Sequence, residues 1–226
     1  MSGRRHRSAD ELLLFPIVLL FLVSICGCSV NEDRSPCPSL LIVDTDRLTD
    51  ALSPHTIHVW GDGPYHCFEK IVPVDYSDRD WRQRVQKGFN VLSCTKGLDR
   101  SALDGTVVRI PAGEQSDRLW THHSIVDCTG ECAYDTLRMH KQHCVITIDA
   151  AGLMEDGVLP YSLEMTGECS GYNLHAAEPV SGEFRAVPKE TGEGTYRVIV
   201  PRQRSDDSLI LHLYRDDGTQ MQVDVG

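Results

Sequence analysis

Apolar residues in this chain fall into short runs punctuated by glycine, proline and aspartate, which is the pattern of strands joined by turns. Leu40-Leu41-Ile42-Val43 is an early apolar run. Thr56-Ile57-His58-Val59-Trp60 alternates and stops at Gly61-Asp62-Gly63-Pro64, a turn signal. Thr106-Val107-Val108-Arg109-Ile110 stops at Pro111-Ala112-Gly113, and Val145-Ile146-Thr147-Ile148 stops before Ala151-Gly152. Tyr161-Ser162-Leu163-Glu164-Met165 alternates strictly, as a half-buried strand does. Residues 195–200 read as a strand closed by Pro201, and residues 209–214 as another. Asp216-Asp217-Gly218 then leads into Met221-Gln222-Val223-Asp224-Val225. Asp-Gly between two apolar runs predicts a hairpin, because the turn needs a positive φ that glycine supplies at little cost. Residues 80–87 and 134–140 read as one or two helical turns each. Many short strands and few helices predict a mostly β protein built of β-sandwiches. A boundary near residue 140 divides it into an N-terminal sandwich (39–140) and a C-terminal sandwich (141–226).

The first residues follow a different rule. Arg4, Arg5 and Arg7 form a basic head, residues 12–25 form an apolar run, and the run ends in Ile25-Cys26-Gly27-Cys28. These are the parts of a secretory leader. Asp10 and Glu11 interrupt the head, and Pro16 would weaken a continuous helix. An aliphatic residue three places before a cysteine, with glycine just before it, resembles the bacterial lipobox. That resemblance implies a lipoprotein signal peptide over 1–27, cleavage before Cys28 and acylation of the Cys28 thiol. Each buried CH₂ of an acyl chain contributes roughly 0.8 kcal/mol, and a second chain turns marginal membrane binding into stable anchoring. Residues 28–38 are polar and carry proline, so they read as a tether between the lipid and the first strand. A lone transmembrane helix is the competing reading, but the run is near the lower limit of about 17 residues for a span.

Charge narrows the range of partners. The chain has 22 basic and 33 acidic residues. Residues 1–27 hold three of the bases (Arg4, Arg5, Arg7) and two of the acids (Asp10, Glu11), so the remaining 199 residues carry 19 against 31, or −12. Such a protein repels nucleic acid and anionic headgroups. Beyond Cys28 there are seven further cysteines, at 37, 67, 94, 128, 132, 144 and 169. In an exported protein some of these are expected to pair, leaving an odd one.

Three chemical readings compete with a purely structural one. His122-His123, Cys128, Cys132, His140 and His143-Cys144 lie within 23 residues and could ligate zinc. Their spacing matches no finger or ribbon, so disulfides and surface histidines are the expectation and no metal or cofactor is assigned. Ser93-Cys94-Thr95-Lys96 matches Ser-x-x-Lys without its partner motifs, and Gly167-Glu168-Cys169-Ser170-Gly171 reads as a glycine-flanked loop. No catalytic constellation converges, so the chain is read as non-enzymatic. Trp60, Trp81 and Trp120 could form a sugar platform, although tryptophans are more often partly buried core.

The order of several segments resembles that of the fimbrillin-A-associated anchor proteins, lipoprotein subunits of Bacteroidales fimbriae. The resemblance rests on Cys28, Glu32-Asp33, Ser35-Pro36-Cys37-Pro38 and residues 40–43. It continues in Val108-Arg109-Ile110-Pro111-Ala112-Gly113-Glu114 and Leu137-Arg138-Met139-His140-Lys141. It is strongest in Val200-Pro201-Arg202-Gln203 and Ser208-Leu209-Ile210-Leu211-His212-Leu213-Tyr214, behind Gly182-Glu183-Phe184. It implies two transthyretin-like β-sandwiches on a lipid anchor at the outer membrane, facing outward at the base of a fimbrial shaft. Members of that family usually continue further, so the second sandwich is expected to be shortened at its C-terminus. The implied partners are outer-membrane lipid, through Cys28, and a shaft subunit joined by strand addition near residues 195–200 and 208–214. A surface adhesin or glycan-binding module is the alternative.

Overall fold

The computed structural model describes residues 34, 36–48, 53–61, 67–76, 80–205 and 208–225. The leader, Cys28 and the acidic Glu32-Asp33 pair lie outside the described residues. Residues 37–226 form one compact unit, mostly strand. Among the described residues no helix is long and apolar enough to cross a membrane.

The strands in chain order are β1 (Ser39–Asp44), β2 (His55–Trp60), β3 (Cys67–Ile71), β4 (Trp81–Val85), β5 (Phe89–Lys96), β6 (Ala102–Asp104), β7 (Val107–Arg109), β8 (Trp120–Asp127) and β9 (Cys132–Thr136). They continue as β10 (His140–Lys141), β11 (His143–Asp149), β12 (Tyr161–Asn173), β13 (Glu178–Ala186), β14 (Lys189–Gly192), β15 (Thr195–Pro201), β16 (Ile210–Arg215) and β17 (Gln220–Asp224). In the first sandwich, a sheet ordered β4-β1-β9 faces a sheet ordered β10-β8-β5-β2-β3. In the second, β11-β15-β14 faces β17-β16-β12, with β13 on the far side of β12. Sequence order and sheet membership part at one place. The short β6 and β7 come early in the chain but extend the second sandwich's sheet, β7 pairing with the end of β12.

Alternation explains the cores. Leu41, Val43, Ile57, Val59, Trp81 and Val85 point into the first sandwich and are essentially inaccessible to water. Leu163, Met165, Val198, Val200, Leu211 and Leu213 do the same in the second. Each such side chain contributes roughly 1.5–3 kcal/mol by leaving water. Residues 80–87 are not helical: Trp81, Gln83 and Val85 share the inward side of β4, which pairs antiparallel with β1. Apolar residues four apart satisfy either period, and the bond ladder to β1 decides. Residues 132–136 likewise form β9, parallel to β1, rather than a helical turn. The predicted C-terminal hairpin is present, with Gly218 at φ 90° and its N–H donating to Arg215 O at 2.9 Å.

A third apolar cluster joins the sandwiches. Val108, Leu119, Tyr172 and Leu174 are buried there, with Trp60, Leu98 and Leu103 packed around them. Ser93 Oγ, on the outer face of β5, donates to Leu174 O at 2.8 Å. Beside it His58 stacks on Trp60, with ring centroids 5.2 Å apart, and meets the edge of Phe68. Burial holds the His58 imidazole down at a pKa of about 4. The buried segment Gln115-Ser116-Asp117 is the polar counterpart of this joint. The Asp117 carboxylate accepts from the backbone N–H groups of Asp99, Arg100 and Ser101 at 2.7–3.1 Å. Gly97 opens the loop those groups belong to. Its φ is +84°, and an added Cβ would collide with Arg118 O.

Two predictions follow from these contacts. Asp117→Ala strips three backbone donors of their acceptor and should cost about 2 kcal/mol in urea unfolding, with Asp117→Asn in between. His58 resists protonation when folded, whereas the unfolded chain takes up the proton near pH 6.5. Stability is therefore full above that pH and declines by about 3 kcal/mol as pH falls toward 4. His58→Phe should flatten that part of the stability–pH curve.

Candidate functional site

The two segments expected to form the assembly edge are interior strands. β15 (Thr195–Pro201) pairs with β11 on one side and β14 on the other. Where β14 ends, the gap is filled by the buried connecting segment. Ser116 N–H donates to Ile199 O at 3.0 Å, and Gln115 Oε1 accepts from Ile199 N–H at 3.1 Å. β16 lies between β12 and β17. The open edges are one strand further out. β13 passes into β14 through Val187 and Pro188 alone, so these two strands share one flank of the second sandwich. Among the described residues, that topology leaves β11 and β17 as the bordering edges of the opposite flank.

This flank is incompletely covered. Met221 and Val223 extend the inward rows Leu163–Leu213 and Met165–Leu211, yet they are 36% and 50% exposed. Across the sandwich, Cys144, Ile146 and Ile148 on β11 share a face with the buried Val198 and Val200 of β15. Ile146 and Ile148 are only half-buried and Cys144 is exposed. The register also fixes which β17 amides face outward. Val225 N–H donates to Leu209 O, so the N–H groups of Val223 and Met221 point to β16, and those of Gln222 and Asp224 point away.

The cysteine and histidine cluster disperses. Among the described residues no three His, Cys, Asp or Glu side chains converge to hold a metal ion. The expected disulfides are not formed: Cys37, Cys67, Cys94, Cys128, Cys132, Cys144 and Cys169 are all free thiols. The register shows why for most of them. Cys67, Cys94, Cys132, Cys144 and Cys169 lie opposite Val59, Ile57, Leu40, Val200 and Ser181, and never opposite another cysteine. Burial pushes the Cys94 thiol up to about 12 and raises that of Cys169, which sits within β12 rather than in a loop. Ser93 and Lys96 are three apart on β5 and so project from opposite faces. The tryptophans share no platform: Trp81 is core, Trp60 stacks on His58, and Trp120 packs edge-on to His143.

His122, by contrast, joins a polar network that bridges the two sheets of the first sandwich. His122 and Ser124 point inward from β8, and Asp135 points inward from β9. Ser124 Oγ donates to Asp135 Oδ2, and His122 Nε2 lies 3.4 Å from the same oxygen. His122 Nδ1 accepts the Arg138 N–H at 3.1 Å. Burial disfavours charge on Asp135, but the hydrogen bonds from His122, Ser124 and Thr136 N–H outweigh it and hold the carboxyl below the ordinary range. This network backs a polar pocket of about 500 Å³ at the end of β1 and β9, bordered by Asp44, Asp80, Tyr134 and Arg138. No pattern in the sequence marks it, because its residues come from four separate stretches of chain.

Known proteins resemble the chain in structure. No protein-family model matches it, and no curated protein matches it in sequence. Its fold does match solved structures. The fimbrial anchor protein Mfa2 from Porphyromonas gingivalis superposes with a TM-score of 0.60 at 12% identity, over 84% of this chain and 83% of that one. A candidate adhesin from Bacteroides thetaiotaomicron superposes with a TM-score of 0.58 at 14% identity, over 84% and 81%. A candidate polysaccharide-binding protein from the same organism gives 0.58 at 10%, over 83% and 80%. The chain thus has the fold of these fimbrial anchor and adhesin structures.

Proposed function

We propose that this chain is a non-enzymatic fimbrial anchor subunit, fixed to the outer membrane through acylated Cys28 and joined to a shaft subunit by strand addition. The observation that carries this reading is the match to a fimbrial anchor protein over 84% of the chain, both sandwiches included. The leader ending in Gly27-Cys28 supplies an attachment that two acyl chains make stable. The shaft then hangs on the open flank of the second sandwich. An incoming strand there gains backbone hydrogen bonds along β17 or β11 and covers Met221, Val223, Ile146 and Ile148 with its own alternate side chains. Work at the cell surface as an adhesin is the second reading, supported by the likeness to candidate adhesins.

Cys28→Ala, expressed in the source organism, should move shaft protein from cells into the culture medium. Shaft that stays cell-bound while the wild type is shown to be acylated would overturn the anchoring role. The joint has its own test. Gln222→Pro removes an outward-facing N–H of β17 and leaves the bonds to β16 in place. It should weaken shaft attachment without shifting the unfolding midpoint. Attachment at the wild-type level would exclude the β17 edge.

A further inference from the structure

We infer that the pocket at the end of β1 and β9 is a binding site for a neutral sugar unit. The inference stands apart from the anchoring role, since the pocket lies in the first sandwich and the assembly flank in the second. It begins with the sheet register. On the outer face of the β4-β1-β9 sheet, Ile42 lies opposite Tyr134 on β9 and Arg82 on β4. One step along, Asp44 lies opposite Thr136, and Asp80, just before β4, continues that row. A row of Tyr134, Ile42 and Arg82 and a row of Thr136, Asp44 and Asp80 therefore run side by side across the sheet. Arg138, two residues past the end of β9, closes the end.

Each component is available to a ligand. Tyr134 is 72% exposed, a large ring standing on a rigid sheet with no cover, and Ile42 beneath that face is 7% exposed. Asp44 Oδ1 accepts from Asp46 N–H, and the carboxylate has no basic partner among the described residues. Among the described residues Asp80 meets only Arg82, at 3.7 Å. Two carboxylates on neighbouring strands repel one another, and the repulsion eases when hydroxyl donors come between them. The Arg138 guanidinium forms no ion pair among the described residues. The floor is already fixed, because Asp135 is committed to Ser124, His122 and the Thr136 N–H. A volume of about 500 Å³ falls within the roughly 300–1,000 Å³ of small-ligand sites.

These groups match a pyranose. Its C–H face lies on the Tyr134 ring, adjacent hydroxyls donate to Asp44 and Asp80, and Arg138 donates to a remaining sugar oxygen. Charge sets the selectivity. Asp44, Asp80 and Asp135 face Arg138 and Arg82, so the lining is net negative and disfavours a sugar carboxylate.

Saturation-transfer NMR on the full-length, detergent-solubilised protein tests this with the methyl glycosides of galactose, mannose and glucose, and with methyl glucuronide for comparison. At least one neutral glycoside should bind saturably in the millimolar range, more tightly than the glucuronide. Tyr134→Ala and Asp80→Asn should each weaken it about tenfold. Both sites are on the surface, so an unchanged unfolding midpoint will show that the variants fold. Phe89→Ala is the control. Phe89 is 68% exposed, and lies five residues along β5 from Cys94, the neighbour of His122, about 17 Å away. It should bind as the wild type does. Absence of binding by all three neutral glycosides, equal binding of the glucuronide, or wild-type affinity in Tyr134→Ala would each overturn the site.

Discussion

The hydrogen-bonded path of β12 is the constraint on which both the second sandwich and its junction with the first depend. The strand has 13 residues, about 43 Å at roughly 3.3 Å per residue. Its first six residues pair with β16, and its last three pair on the same edge with β7. The opposite edge pairs with β13 through two register shifts. The inner end of β12 thus builds the second core, while the outer end delivers Tyr172 and Leu174 to the outer face of the first sandwich. Gly171 is the point of closest approach. A Cβ there would collide with the Val108 carbonyl, so a side chain at that position would push β7 off the strand. A shorter or unbulged β12 would keep the second core but lose the seat on the first.

Polar groups, rather than further apolar burial, close the seams that this arrangement creates. β15 would show bare backbone beyond β14, and Gln115 and Ser116 occupy that stretch. The loop after β5 would leave three amides unpaired, and Asp117 takes them. At the far end of the first sandwich His122, Ser124 and Asp135 form a hydrogen-bonded network between the sheets in place of apolar side chains. A fully bonded polar cluster of this kind fixes geometry, because each member holds the next in one orientation. The rigid wall of the pocket is a direct consequence.

Legibility in the sequence followed the clarity of the alternation. β2, β15 and the β16–β17 hairpin could be read because apolar residues alternate and glycine or proline ends them. β4 passed for a helix because Trp81 and Val85 are four apart. β8 carries no alternation signal, since His122 and Ser124 occupy inward positions where apolar residues would mark a strand. β12 alternates from Tyr161 to Met165, whereas Gly167 to Gly171 has the composition of a loop although it continues the ladder. The pocket was invisible for a different reason. Asp44, Asp80 and Tyr134 become neighbours only when β4 and β9 take up their registers against β1, and register is a long-range property. Residues 195–200 and 208–214 read as an edge because the order of strands in a sheet, with β11 and β14 beside β15 and β12 and β17 beside β16, is set by long-range pairing.

Comparison of the edges explains why one flank is suited to another chain. Natural sheets blunt their edges with short strands, charges, bulges or inward-pointing ionisable groups. β6 and β10 have three and two residues. β4 exposes Arg82 and Arg84. β3 carries Lys70 and turns Glu69 inward to Trp81 Nε1, at 2.9 Å. β9 turns Asp135 inward, and β13 and β14 are interrupted by register shifts. β11 and β17 keep seven and five residues in unbroken register with their single neighbours, with no lysine, arginine or proline in either. They also border the same half-covered core. Their acidic residues, Asp149 and Asp224, stand at the strand ends, so the middle of each edge carries bare backbone beside a partly exposed apolar row. This is the geometry an added strand completes, with backbone bonds on one side and side chains on the other.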